Sequence, residues 1–127
     1  MVMKVANRAL DELGRFLMQD VRDRAIRRWR LTLEGRMHGE GDAALVTVRA
    51  SPECREAVGT LVPMIVDDVL HALLFGIQES QDIKLLVSIN GEAVNVADVS
   101  DGLQGEPWSS RGWIARFSAY KEPADAI

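Results

Sequence analysis

The sequence predicts an α+β fold, mainly helical, with two long helices packed on a two-stranded antiparallel hairpin (83–89/92–97) and a short C-terminal helix. Three observations carry that reading. Apolar residues recur at helical spacing from Ala6 to about Leu33, a Ser-Pro start opens a second apolar stretch ending near Ser80, and Asn90-Gly91 separates two β-rich runs.

In the first stretch Ala6, Leu10, Leu13, Leu17, Val21, Ala25 and Trp29 fall at three- and four-residue steps, which gives one core-facing stripe. Asp11 and Glu12 lie early and Arg22 to Arg30 late, the order favoured by the helix dipole. Gly35, Gly39 and Gly41 then mark a loop. The segment Asp42 to Ala50 suits a short strand or a helix capped by Asp42, and the reading leans to helix.

Ser51 can cap the free amides of the second long helix, and Pro52 fits its first position because no N–H is needed there. Pro63 removes an internal hydrogen bond and predicts a kink or a split. A type I′ turn at Asn90-Gly91 pairs Ile89 with Glu92, Val87 with Val94 and Leu85 with Val96. That register places Ile83, Leu85, Val87, Val94 and Val96 on one face, which must pack on the helices because a lone hairpin is marginal. After a Gly- and Pro-containing loop from Ser100 to Pro107, Ser109 or Ser110 is placed to cap a last helix carrying Trp113, Phe117 and Tyr120. The tail after Lys121 is expected to be loose.

A chain of 127 residues with 47% apolar and 27% charged residues suits one globular domain, 1–127, with a core of its own. One cysteine permits no internal disulfide and fits a reducing, cytoplasmic setting. Uninterrupted apolar runs fall short of the roughly 20 residues of a membrane span, so no membrane partner is expected. The net charge of −4 divides unevenly: residues 1–36 carry nine basic and five acidic groups, the remainder six and fourteen. An acidic whole argues against sequence-independent nucleic-acid binding.

The chemistry centres on Leu61 to Glu79, where Asp67, Asp68 and His71 interrupt an apolar run. A helical reading puts Val62, Val66, Val69, Leu70, Leu73 and Ile77 on the core face. Asp67, Asp68, His71 and Gln78 then share the other side with Met64 and Phe75. Asp67 and His71 lie one turn apart, a spacing at which a carboxylate orients an imidazole. The Ser100 to Glu106 loop adds Asp101 and Glu106. In a catalytic version His71 is the base, Asp67 its orienting partner, and Asp101 or Glu106 an acid or metal ligand. In a binding version Asp67, Asp68, His71, Asp101, Glu106 and Trp108 form a surface for a basic protein. In a structural version Asp67 or His71 caps the amides of the loop. His38 is the only other histidine, thiolate zinc is excluded, and nucleotide and hydrolase signatures are absent, so no cofactor or metal is expected.

Three further features bear on function. The run Arg22 to Arg30 holds five arginines and Trp29, which can meet phosphate, but helical spacing scatters them and ion pairing is favoured. Cys54 stands in a first helical turn, flanked by Glu53 and Glu56, which oppose thiolate formation. Trp113 and Phe117 are assigned to the core, and Trp108, beside Pro107, to an exposed position.

The motifs V-D-D-V-L-H-A-L-L, S-D-G-L-Q-G-E and G-W-I-A-R-F-S, spanning Asp67 to Ser118, resemble those of small uncharacterised bacterial proteins. In these a D-x-x-L-H helix precedes a hairpin and an S-D-G-L-x-G-E…G-W-I-x-x-F-S tail, and the acidic position here is occupied by Asp67-Asp68. The resemblance implies that helix and tail form one constellation, with toxin immunity as the functional analogy. Two functions follow as expectations. The first is a protein-interaction module, immunity-like and open to homo-oligomers, which binds a protein partner through an acidic surface. The second is a small enzyme built on His71, Asp67, Asp101 and Glu106.

Overall fold

In the computed structural model, which describes residues 2–37 and 42–121, the first predicted helix is continuous but has three parts. These are α1 (Val2–Arg15), a π-helical segment (Phe16–Arg22) and α2 (Asp23–Leu33). Within the π segment the Asp23 N–H donates to the Met18 carbonyl, five residues back. Each extra residue in a turn rotates the following side chains by about 100°. The buried stripe shifts accordingly: Ala9, Leu13, Leu17 and Met18 are followed inward by Arg22 and Ile26, and Trp29, expected in the core, is exposed.

The helix ends in a Schellman motif. Arg36 N–H donates to the Leu31 carbonyl and Gly35 N–H to that of Thr32, with Gly35 at φ +74°. Gly39, Gly41 and His38 lie outside the described residues, as does the tail beyond Lys121. Helix α3 (Ala43–Ala50) resolves the strand-or-helix alternative, and the Asp42 carboxylate accepts from the Ala44 N–H at 2.8 Å.

Helix α4 (Pro52–Glu79) starts where Ser51-Pro52 predicts, with Ser51 Oγ accepting from the Cys54 N–H. Pro63 neither splits nor ends it. Strands β1 (Leu86–Ile89) and β2 (Glu92–Asn95) pair in the expected register, and Asn90 and Gly91 both have positive φ. The strands are shorter than 83–89 and 92–97. Val96 still donates to the Leu85 carbonyl, but the chain then turns into α5 (Val96–Val99), capped by Asn95, while Ile83 lies outside the ladder and exposed.

A 3₁₀ turn (Leu103–Gly105) sits within the loop after α5. The last helix, α6 (Trp113–Phe117), is shorter than predicted, and Tyr120 lies beyond it. Its N-cap is Gly112, with no serine side chain capping it.

The hairpin, α5 and α6 pack on α1, whereas α3 and α4 pack on α2, and the 3₁₀ turn rests on α4. One cluster joins the two halves: Leu13, Leu17 and Met18 meet Leu70, Leu74, Ile89, Val96, Leu103 and Trp113. Trp113 is fully buried with its indole lying directly over Gly14, where a Cβ would overlap the ring.

Gly14→Ala is therefore expected to lower stability by about 1–3 kcal/mol through overpacking. Gly76, whose Cβ position faces open space, gives the opposite result. Gly76→Ala should raise stability by about 0.5–1 kcal/mol, as at any unobstructed mid-helix glycine. Urea midpoints of the two variants test both.

Candidate functional site

Buried guanidinium groups need partners on every side, because desolvation of the charge otherwise costs several kcal/mol. Arg22, carried inward by the π segment, has them. Its Nε donates to Asp67 Oδ1 at 2.7 Å and Nη2 to Asp67 Oδ2 at 3.4 Å. Its Nη1 donates to Ser118 Oγ at 2.8 Å and to the Tyr120 carbonyl at 2.7 Å. Asp23 completes the cluster: Ser118 Oγ donates to one of its oxygens at 2.6 Å and Ala119 N–H to the other at 2.8 Å. The Ser118 hydroxyl also accepts from the Tyr120 N–H at 2.9 Å. Arg22, Asp23 and Asp67 thereby tie the N-terminal helix, α4 and the chain after α6 into one polar knot.

Asp67 is consequently not the partner of His71. Its carboxylate is used by Arg22, and the expected Asp67–His71 dyad does not form. His71 is exposed and, among the described residues, makes no hydrogen bond. The loop does come to it. His71, Asp101, Glu106 and Trp108 line one open cleft of about 490 Å³, with Gln104 and Ser109 at its walls. Asp67 lies in a neighbouring cleft of about 460 Å³ beside Arg22, Met64, Trp108 and Lys121. Asp68 lines neither and stands exposed on the outer side of α4.

The loop is tied to α4 by Gln78. Gln78 Oε1 accepts from the Leu103 N–H at 2.9 Å, and Nε2 donates to the Ala97 carbonyl at 3.2 Å. Ser100 Oγ accepts from the Gly102 N–H and donates to Glu106 at 2.7 Å, which holds the loop closed on itself. The capping role foreseen for Asp67 or His71 thus falls to Gln78. Its amide satisfies a donor and an acceptor at once, which a carboxylate cannot do.

No family of proteins, curated protein or solved structure matches this chain. The surface of the molecule carries the features that bear on function.

That surface differs from the sequence expectation in the rotation of α4. Val62, Pro63, Leu70 and Leu74 are buried, with Val66 and Ile77 partly so. Val69 and Leu73, expected in the core, are exposed because Asp67 and Gln78 are drawn inward by their partners. Leu61, Ile65, Val69 and Leu73 follow one another at four-residue steps on the outer side, with Met64 and Phe75 beside them. All six are 47–63% exposed.

Among the described residues, no group of three or more His, Cys, Asp or Glu side chains is arranged to hold a metal ion. Of the arginine run, Arg22 is committed to the knot and Arg30 stacks on Tyr120 at 5.1 Å, which leaves Arg24, Arg27 and Arg28 exposed. Trp108 is exposed as predicted, and Cys54 is a free, exposed thiol. By length and composition α4 also passes as a membrane span: an 18-residue window has mean hydropathy 1.7, with 22% of it buried. Counting uninterrupted apolar runs missed this, since Asp67, Asp68 and His71 divide the stretch.

Asp67→Ala, which strands Arg22, should cost about 2–3 kcal/mol in urea denaturation, below the full cost of breaking a buried pair because Asp23 stays close. His71→Ala and Asp68→Ala should leave the midpoint unchanged. Equal losses at Asp67 and His71 would refute this assignment of partners.

Proposed function

We propose that the chain is a protein-interaction module that binds through the outer side of α4. The observation that carries this reading is the set of six large apolar side chains left half-exposed on one helix. An apolar patch of this extent is uncommon on a monomer without a binding role. Asp68, Asp101 and Glu106 supply carboxylates at or near its edge and Trp108 an aromatic anchor, the composition of an interface centre with a polar rim. The carboxylates favour a partner with a basic surface, in keeping with an immunity-like inhibitor.

The acid–base alternative has less to stand on. Asp67 is engaged by Arg22, and among the described residues no carboxylate is hydrogen-bonded to His71.

A photo-crosslinking amino acid at Val69, introduced in the native host, tests the proposal. The expected result is a discrete crosslinked protein at Val69 and none at Ser88, which is exposed on the hairpin. Absence of any product at Val69 rejects this face as a binding surface.

A further inference from the structure

A pocket apart from the outer side of α4 opens in the seam between α2 and α4, and we infer that it binds a free aliphatic α-amino acid. The two helices run antiparallel: Arg22 meets Asp67 towards one end of the seam, and Leu33 faces Gly59 towards the other. At the Gly59 end the seam holds a cavity of about 240 Å³. Three features fit it to this ligand.

The first is the floor. It is made by Ile26, Leu33 and Val62, all buried, so an aliphatic group entering the cavity meets only apolar side chains. Gly59 keeps this floor open. A Cβ there would meet Leu33 Cδ1 at 3.8 Å, an ordinary contact, so the helix packing itself does not require glycine. A glycine inside a helix is destabilising relative to alanine, and what it supplies here is space.

The second is the rim, which carries both signs of charge. Arg30 is held against the Tyr120 ring, and Glu34 is paired with Arg36 at 3.4 Å. Arg55 and Glu56 remain. Both are exposed, and among the described residues neither side chain makes a hydrogen bond or an ion pair. Neighbours on a helix point about 100° apart, so these two flank the mouth instead of pairing with each other.

The third is the pair of helix ends. Pro52, Arg55 and Glu56 belong to the first turns of α4, its positive end, whereas Leu33 and Glu34 close α2, its negative end. A carboxylate turned to Arg55 and an ammonium turned to Glu56 and the end of α2 answer both fields at once. A fatty acid leaves its carboxylate beside Glu56, and an alkylamine leaves its ammonium beside Arg55. A charged or polar side chain cannot enter the floor without losing its water. The cavity is smaller than the roughly 300–1,000 Å³ of sites for drug-sized molecules, which limits the ligand to a single amino acid. A dissociation constant of about 1 mM is the expected scale for so few atoms.

Titration of the isotope-labelled full chain with L-leucine, followed through its amide NMR shifts, is the test. Saturable shifts at Gly59 and Arg55 are expected. Isocaproate, which is leucine without its ammonium, and isoamylamine, which is leucine without its carboxylate, should each bind at least about tenfold more weakly. Gly59→Leu fills the floor and should abolish binding. Arg55→Gln, at an exposed position, should leave the urea midpoint unchanged and weaken leucine at least about fivefold, which keeps the test intact if Gly59→Leu does not fold.

No saturable shift up to about 50 mM L-leucine overturns the proposal. So does equal affinity for isocaproate or isoamylamine, or a leucine affinity untouched by Arg55→Gln. The crosslink at Val69 probes the other side of α4, so the amino-acid site and the interaction surface stand or fall separately.

Discussion

Arg22 is the residue on which the rest of the arrangement depends. An arginine 4% exposed is tolerable only if its donors are matched, and the molecule matches them with Asp67 from α4, with Ser118 and the Tyr120 carbonyl after α6, and with Asp23 beside it. These groups come from three separated parts of the chain. Pairing them fixes how α4 lies on the N-terminal helix and where the chain runs after α6. The π segment makes the pairing reachable, since its wider turns bring Arg22 inward directly after Leu17 and Met18.

The outward apolar row of α4 follows from the same pairing. A helix of 28 residues with apolar groups around most of its circumference can bury only one side against α2, α3 and the loop. Apolar burial alone does not choose which side, because each orientation covers a similar set of Val, Leu and Ile. Two polar anchors decide: Asp67 to Arg22, and Gln78 to Leu103 and Ala97. Val69 and Leu73 are left outside with Leu61 and Ile65. The surface proposed for binding is thus the consequence of satisfying buried polar groups elsewhere.

His71 changes meaning in this light. Its spacing from Asp67 reads as a dyad, yet the carboxylate is held by a stronger partner, and the imidazole is left at the edge of an open cleft with Asp101 and Glu106. The expectation that helix and loop come together holds, but Gln78 joins them. Gln78 carried no motif. Only a donor and an acceptor arriving together from Leu103 and Ala97 reveal its role, and both lie about twenty residues or more away in the chain.

What the sequence determined by itself is everything governed by a few adjacent residues. Asp42 and Ser51-Pro52 start their helices, Gly35 ends one, and Asn90-Gly91 sets the hairpin register, because caps and tight turns are satisfied within four or five residues. The α+β, mainly helical class follows from those boundaries. Tertiary structure alone decided the π segment, the inward turn of Arg22 and the rotation of α4. It also decided the exposure of Trp29, Val69 and Leu73, since each depends on a partner far along the chain. Helical periodicity identifies two apolar sides of α4, and the buried charge of Arg22 selects which of them faces out.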